Sequence, residues 1–319
     1  MPLFDDAARR KLEQVTLVAS RARAGAIKGE RRSSKRGTSI EFADYRDYVP
    51  GDDLRRLDWN VYARLDRPLT KLYEDEEDLA VHLLLDASAS MDYPAPDADS
   101  SPTPAGEGSG QAVVPVSKGS REGVASKFDM ARRLIAGLGV IALTANDRLT
   151  ITVLGGRGES FGPVRGRGAA ARLLAFIESV RPGGAVDLDA ALKGYAGRAA
   201  RPGLCVLISD LMVPSGIRDG LNALVGRGYQ VGVVHVLAPT EIDPTLNGDL
   251  RLVDSETGAA QEVTLDDSLR DLYKRRLASW RDGLAADCRQ RGAAFVPTVS
   301  DAPWEKIILS DLRRAGLVK

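Results

Sequence analysis

The alternation of apolar runs and helical stretches from residue 79 onward is the feature that most constrains the fold. The runs with strand character are LAVHLLLD, RLTITVLG, LCVLISD, YQVGVVHVLA and AAFVPT, and helical stretches such as KFDMARRLIAGLGVIALTAN and DLDAALKGYAG separate most of them. Such alternation is typical of a mostly parallel sheet covered by helices, and uniformly apolar strands indicate burial on both faces. We therefore predict an α/β fold with a doubly wound, mostly parallel sheet flanked by helices.

The length of the chain predicts two parts. At 319 residues it exceeds a typical single domain of roughly 100 to 200 residues. We expect residues 1–78 to form an amphipathic N-terminal helix, over residues 5–26, and an accessory module. Residues 79–319 form the α/β domain, with a Pro-, Gly- and Ser-rich insertion at about 92–126 that we expect to be disordered. Near the C-terminus, two short strands, a long helix over 266–292 and a helix over 302–316 are predicted.

The charge balance limits the classes of partner. Lys plus Arg and Asp plus Glu both number 44, so no global field attracts nucleic acid or an anionic membrane. The basic stretch at 28–36 lacks interleaved aromatic residues, so we expect a solvated loop or an acidic protein partner there. No run approaches the ~20 apolar residues that cross a bilayer, and the N-terminus lacks a secretion signal. We expect a cytoplasmic chain without a membrane span.

Polar side chains follow two of the predicted strands. Asp86 ends LAVHLLLD, and Ser88 and Ser90 follow at steps of two, which in an extended segment places all three side chains on one side. Asp210 ends LCVLISD and reaches the same edge of the sheet if the two strands are neighbours. A carboxylate with two hydroxyls suits Mg²⁺, which prefers oxygen ligands. A further donor is expected from RPGGAVDLDAAL, where its identity stays open.

These residues resemble the metal-ion-dependent adhesion site of von Willebrand factor A domains, in which D-x-S-x-S is followed by a Thr in a loop and then by an Asp. The resemblance implies Mg²⁺ or Mn²⁺ bound by Asp86, Ser88, Ser90 and Asp210, with one position left for an acidic residue of a partner. The chain departs from the pattern at the Thr, where it has Ala185 or Val186. Asp187 or Asp189 as a substitute donor, a water in place of the Thr, and a weakened or lost metal are the alternatives.

The upstream segment from Thr38 to Arg64 has a more specific signature. It consists of EF, R-x-Y, PGDD, R-R-L-D-W and A-R, at Glu41–Phe42, Arg46–Tyr48, Pro50–Asp53, Arg55–Trp59 and Ala63–Arg64. With LLLDASASM, this segment resembles the bacterial domain-of-unknown-function family 58, which is related to von Willebrand factor A domains. Physically, PGDD predicts a tight turn that caps a short helix near Leu54. We expect the charged residues to form ion pairs, and Trp59 and Tyr48 to pack against the sheet.

The family resemblance implies a protein-binding adaptor that acts with a MoxR-type AAA+ ATPase in the assembly or maturation of other proteins. Two common enzyme motifs are missing from the sequence. It has no G-x-x-x-x-G-K-[ST] loop, which binds nucleotide phosphates, and no G-x-S-x-G elbow, which carries a nucleophilic serine. His82 and His235 lie in apolar runs and are predicted to be core residues. A metal-independent scaffold and, with less support, a phosphoester hydrolase that uses the strand-end acids are the alternative functions.

Overall fold

The computed structural model of the chain describes residues 10–12, 14–18, 42–50, 54, 57–73, 79–93, 112–113, 126–198, 201–244, 248–253 and 260–319. The chain divides into a small unit, residues 28–78, and a large unit, residues 1–27 and 79–319. We expected the N-terminal segment to accompany the accessory module, but it groups with the large unit instead.

The small unit contains an antiparallel strand pair and one short helix. Strand β1 (Phe42–Asp47) pairs with β2 (Leu69–Tyr73), and helix α1 (Trp59–Leu65) lies between them in the chain. Asp58 caps the helix by accepting hydrogen bonds from the backbone N–H groups of Asn60 and Val61. We predicted a helix near Leu54 capped from PGDD, and residues 51–53, 55 and 56 lie outside the described residues. Capping is a common function of Asp before a helix, and the other carboxylate oxygen of Asp58 accepts a hydrogen bond from the Tyr45 hydroxyl at 2.9 Å.

The large unit is built on a six-stranded sheet in the order β11-β8-β7-β3-β5-β6. All neighbouring strands are parallel except β5 and β6, which are antiparallel. A second, three-stranded sheet has the order β10-β9-β4. The strands of the large unit are β3 (Ala80–Asp86), β4 (Ala112–Val113), β5 (Arg148–Leu154), β6 (Ser160–Val164), β7 (Leu204–Ser209), β8 (Gln230–Leu237), β9 (Gly248–Val253), β10 (Ala260–Leu265) and β11 (Ala294–Val299).

Helices follow most strands of the six-stranded sheet. They are α2 (Lys127–Thr144), α3 (Ala170–Ser179), α4 (Leu188–Arg198), α5 (Arg218–Gly226), α6 (Pro239–Ile242), α7 (Asp267–Gln290), α8 (Trp304–Lys306) and α9 (Leu312–Arg314), with a π-helical segment at Ile307–Asp311. The predicted α/β fold with a mostly parallel sheet flanked by helices is confirmed. The helix predicted over 302–316 is confirmed as a continuous helical segment over 304–314 that contains the π-helical turn, whereas the edge strand β6 was not predicted.

The core lies on both faces of the six-stranded sheet. Leu83 and Leu85 of β3 belong to the cluster that includes residues of α2 and α3, whereas Leu84 belongs to the opposite cluster with residues of α4 and α5. Every residue of β3 and of β7 is buried. Central strands buried on both sides have no polar alternation, which explains why their sequences are uniformly apolar.

The N-terminal segment does not form the predicted continuous helix. Residues 10–12 are helical, but Leu17 forms an antiparallel bridge with Val318. The Thr16 N–H donates to the Lys319 carbonyl at 3.1 Å, and the Val18 N–H donates to the Leu317 carbonyl at 3.0 Å. β-branched residues favour this extended pairing, which satisfies backbone groups that a helix would have bonded internally.

The predicted disorder of the insertion concerns residues that lie mostly outside the described part of the chain. Ala112 and Val113 are the exception, because they pair in parallel with Leu250 and Arg251 of β9. In the described segments, no helix is both long enough and apolar enough to span a bilayer.

Leu317→Ala tests the contribution of the C-terminal residues to the core. Leu317 is buried, and a Cβ at Gly232 would lie 2.5 Å from its Cδ1 atom, so its side chain fills the space beside the glycine of β8. We expect the free energy of unfolding to fall by about 2–5 kcal/mol, as for other buried Leu→Ala changes. Urea unfolding measures this, with Lys319→Ala as a control on an exposed side chain, and an equal effect of both changes would contradict the assignment.

Candidate functional site: the polar cluster at the strand ends

The polar cluster lies where the strand order of the main sheet reverses. From β3 the chain proceeds to β5 and β6 on one side, and then returns to β7, β8 and β11 on the other. β3 and β7 are adjacent, with Leu85 opposite Ile208, so Asp86 and Asp210 emerge at the same edge. In open α/β sheets, ligands bind beyond the carboxyl ends of the strands at such a reversal.

Asp86 is fully buried, and both of its carboxylate oxygens accept hydrogen bonds. The Ser88 N–H donates to Oδ1 at 2.9 Å, and the Ser209 hydroxyl donates to Oδ2 at 2.5 Å. The Ser209 oxygen accepts in turn from the Leu211 N–H at 2.9 Å. This chain of bonds links the end of β3 to the end of β7.

The DASAS segment turns instead of continuing in extended form. Ser88 is followed by a 3₁₀ turn at Ala89–Asp92, so the predicted alternation of side chains at steps of two ends there. The Ser88 and Ser90 hydroxyl oxygens still lie 3.0 Å apart. Ser88 is buried and Ser90 is half-buried, so the pair reaches from the core toward the surface.

Lys127, which was not predicted as a site residue, is the centre of the cluster. Its ammonium donates to Asp210 Oδ2 at 2.7 Å and to Glu241 Oε1 at 2.6 Å. The Lys127 and Asp210 side chains are both 1% exposed. The ammonium also lies 5.8 Å from the centre of the Tyr93 ring, within the range of a cation–π contact.

The two acids that bind Lys127 are themselves fixed by backbone donors. The Met212 N–H donates to Asp210 Oδ1 at 3.0 Å, and the Ala238 N–H donates to Glu241 Oε2 at 2.7 Å. Leu211, the residue after Asp210, has a φ of 55°, a left-handed conformation that is unfavourable for a leucine. The strained turn follows Asp210 directly, and such strain is common at functional sites.

The pKa shifts in the cluster follow from burial and charge. Burial raises the pKa of the Asp86 carboxyl, and the charge of the nearby Asp210 raises it further. The hydrogen bonds that Asp86 accepts from Ser209 and Ser88 oppose this rise but do not cancel it. Burial alone would lower the pKa of Lys127, but Asp210 and Glu241 outweigh it, and the pKa is raised. Lys127 is therefore a cation in the folded protein. Burial also raises the pKa of Glu241 despite the attraction of Lys127.

His235 supports the cluster from β8. Its Nε2 atom lies 2.9 Å from the Asp210 carbonyl, so this nitrogen carries the hydrogen and donates. Burial lowers the pKa of His235 to about 4. The ring is thus neutral at ordinary pH and holds the backbone of Asp210, in keeping with the predicted core role.

The loop at Gly183–Gly184 lies beside the DASAS turn. The Ala89 N–H donates to the Gly184 carbonyl at 2.9 Å, and the Gly183 N–H donates to the Ala87 carbonyl at 2.8 Å. Asp187 is exposed, and its Oδ1 atom accepts from the Ala190 N–H at 3.1 Å and from the Ser215 hydroxyl at 3.2 Å. The structure thus brings the expected loop to the site, while Asp187 caps the start of α4.

This arrangement does not fit a divalent cation bound at Asp210. The Lys127 ammonium already occupies the space beside its carboxylate, and a second cation there would meet it at close range. Asp189, the other suggested donor, bonds the Gly220 N–H and Lys193. Among the described residues, no group of three or more His, Cys, Asp or Glu side chains is arranged to hold a metal. The metal ligands therefore stay a prediction from the sequence.

Two sequence signals point to the residues that we did not predict. Lys127 is the first residue of α2, where the positive end of the helix dipole disfavours a cation unless an acid lies nearby. Glu241 follows the end of β8, at the same edge of the sheet as Asp86 and Asp210. The pattern that predicts Asp86 and Asp210, an acid close to the end of an apolar strand, therefore also applies to Glu241 after β8.

Helix α1 of the small unit carries a second candidate surface. None of its residues is buried, and Trp59 is 60% exposed. The Trp59 and Tyr62 rings meet edge to face with centres 6.3 Å apart, and Leu65 is 63% exposed. Tyr45 and Leu54 of the same unit are also exposed. We call Trp59, Tyr62 and Leu65 the apolar face of α1.

Lys127→Met tests the energetic role of the central ammonium. Removing one partner leaves Asp210 and Glu241 buried without a counter-charge, so we expect a loss of about 3–5 kcal/mol in the free energy of unfolding. Lys274→Met, which breaks an exposed ion pair to Asp243, is the control and should change the urea midpoint little. Similar midpoints for the two variants would show that Lys127 does not hold the cluster together.

Comparison with known proteins shows similarity mainly to uncharacterized proteins. The chain is 28% identical over 284 residues to the uncharacterized protein Rv1480 of Mycobacterium tuberculosis, covering 88% of this chain and 81% of that protein. It is 32% identical over 118 residues to the uncharacterized protein MAV169 of Mycobacterium avium, covering 37% of this chain and 69% of that protein.

Two solved structures share a distant likeness. They are a conserved hypothetical protein, BatB, from Bacteroides thetaiotaomicron, at 16% identity, and an aerotolerance-related membrane protein from Bacteroides fragilis, at 17% identity. Each has a TM-score of 0.42 and covers 74% of this chain, with 98% and 100% of the respective structures covered.

The sequence profile of one family spans most of the chain. It matches residues 44–100 and 113–282, which include most of β1, all of α1, the DASAS turn, Lys127 and Asp210. The chain therefore belongs to DUF58, a family of proteins of unknown function.

Proposed function

We propose that this chain is a non-enzymatic, protein-binding adaptor that acts with a MoxR-type AAA+ ATPase in the maturation or assembly of other proteins. The partner and the process are those that the resemblance to the family implies. The observation that carries the protein-binding part is the concentration of exposed apolar side chains on the small unit. Such side chains are costly in water unless a partner covers them.

The distribution of these side chains favours a specific surface over scattered exposure. Among the described residues, the large hydrophobic side chains that are exposed all belong to the small unit, with the exception of Leu272. They are Tyr45, Val49, Leu54, Trp59, Tyr62 and Leu65. Trp and Tyr are the residues most often found at the energetic centre of protein interfaces. Helix α1 is also too short to be stable by itself, which favours docking against a partner.

The strand-end cluster supports binding without a bound metal. In the adhesion-site mechanism, a divalent cation offers its charge to an acidic residue of the partner. Here Lys127 supplies a fixed positive charge beside Asp210, so the acids at the strand ends are stabilised without an added ion. Ser90, which is half-buried beside Ser88, remains close enough to the surface to donate a hydrogen bond to a partner.

The bonding of the strand-end acids argues against hydrolysis. Each oxygen of Asp86 and of Asp210 already accepts a hydrogen bond from a backbone N–H, a hydroxyl or an ammonium. A catalytic nucleophile or base needs a lone pair that reaches a substrate, and the Asp86 and Asp210 side chains are both buried. The arrangement therefore favours a structural role for these acids.

The binding surface is tested with a Trp59→Ala, Tyr62→Ala double variant and a purified MoxR-type ATPase. Since aromatic anchors carry a large share of interface energy, we expect the dissociation constant to rise at least about tenfold. Leu272→Ala removes an exposed hydrophobic side chain of the large unit and should bind like the wild type. Biolayer interferometry measures the affinities, and circular dichroism verifies that the variants are folded. Wild-type affinity of the double variant would refute the proposed surface.

The same binding assay with EDTA tests the metal-independent form of the proposal. Binding should be unchanged by chelation, because the proposed contacts are apolar side chains of the small unit and Lys127 already neutralises the strand-end acids. Loss of binding in EDTA that Mg²⁺ restores would favour the adhesion-site mechanism instead.

A further inference from the structure

A cleft of about 570 Å³ opens on the large unit, away from the strand-end cluster. Ala80, the first residue of β3, lines it, whereas Asp86 at the other end of the same strand belongs to the polar cluster. Residues of β5, β6 and the C-terminal end of α4 complete the walls. The cleft therefore lies toward the amino ends of the parallel strands.

Strand β5 forms one wall of the cleft, because its apolar and polar side chains alternate between the two faces of the sheet. Leu149 and Ile151 point into the core shared with α2 and α3. Arg148, Thr150 and Thr152 occupy the alternate positions, so their side chains face the opposite side of the sheet, where they line the cleft. A strand with an apolar core face and a polar second face predicts that this second face meets solvent or a polar ligand.

The charges that line the cleft are all positive. Arg148, Arg198 and Arg201 are exposed at its walls, and among the lining residues that the structure describes none is Asp or Glu. None of these three guanidinium groups forms an ion pair with a residue that the structure describes. Guanidinium groups that line the same cleft repel each other, and an anion bound between them removes that cost.

A buried ring system stabilises the inner part of the cleft. His82 Nε2 lies 3.0 Å from the Arg201 carbonyl, so it donates, and Nδ1 accepts from the Tyr195 hydroxyl at 2.6 Å. Burial lowers the pKa of His82, and the Arg148 guanidinium adds to this effect, although the bond to the Arg201 carbonyl opposes it. The imidazole is thus neutral, and it holds the backbone of Arg201 and the ring of Tyr195 in place.

From this geometry we infer that the cleft is a binding site for a small, phosphate-bearing molecule. The guanidinium groups of Arg148, Arg198 and Arg201 would bind the phosphate oxygens, and the hydroxyls of Thr150 and Ser160 would donate further hydrogen bonds. Arginine presents paired N–H donors that match phosphate geometry, and phosphate complexes gain from charge-assisted bonds. This site is independent of the proposed adaptor function.

The dimensions favour a small molecule over a polymer. The volume lies within the range of roughly 300–1,000 Å³ that is typical of small-molecule sites. Nucleic-acid surfaces need a basic stripe that follows the backbone over many phosphates. The chain has a net charge of zero, and the basic side chains here are confined to one cleft.

Isothermal titration of pyrophosphate into the full chain, at low ionic strength and in EDTA, tests the site. We expect one pyrophosphate to bind per chain, and Arg148→Ala and Arg201→Ala each to weaken binding at least about tenfold. Arg148→Lys, which keeps the charge but loses the paired donors, should bind with intermediate affinity. Arg276→Ala, an exposed arginine in the middle of α7, is the matched control and should bind like the wild type.

Three results would overturn the inference. They are absence of pyrophosphate binding to the wild type, equal binding by the Arg148 and Arg276 variants, and tighter binding of a short DNA duplex that depends on the same arginines. Because all of the substituted side chains are exposed, the variants should keep the urea midpoint of the wild type, and this separates loss of binding from loss of folding.

Discussion

The arrangement of the polar side chains at the carboxyl ends of the strands depends on the buried ion pairs of Lys127. The Lys127 ammonium is placed by the first turn of α2 and bonds two acids, Asp210 after β7 and Glu241 after β8. A buried acid without a counter-charge is unfavourable, so the lysine stabilises both side chains in their positions. The Asp86–Ser209 hydrogen bond then joins β3 to the same network. A single helix start thereby stabilises polar groups at three neighbouring strand ends.

In the proposed function, this arrangement would replace the adhesion-type metal site that the sequence resemblance implies and whose loop hydroxyl the chain lacks. Where Ala185 or Val186 stands in place of a Thr, a metal would lose one ligand, and an internal cation can assume its electrostatic role. An ammonium differs from a divalent ion in that it offers hydrogen bonds but no open coordination position. Partner recognition would then rest on apolar contacts, which are available on the apolar face of α1.

The sheet could be predicted from the sequence because burial on both faces leaves a direct mark, the uniformly apolar strands β3 and β7. Asp86, Ser88, Ser90 and Asp210 could be placed at one edge because strand ends are visible as the residues after such runs. Lys127 could not be placed in this way, since its position depends on how α2 crosses the sheet. The prediction of a continuous N-terminal helix was wrong. The apolar residues of this segment have helical spacing, but its backbone pairs with Leu317–Lys319 at the opposite end of the chain, a contact that no local pattern shows.

The central claim, that Lys127 takes the place of a metal ion at the strand ends, is tested most directly by titrating Mg²⁺ and Mn²⁺ into the purified wild-type chain and following the heat of binding. The account predicts no saturable binding of either ion at millimolar concentration. One-to-one binding that disappears in Asp86→Ala would contradict it and would restore the adhesion-type metal site.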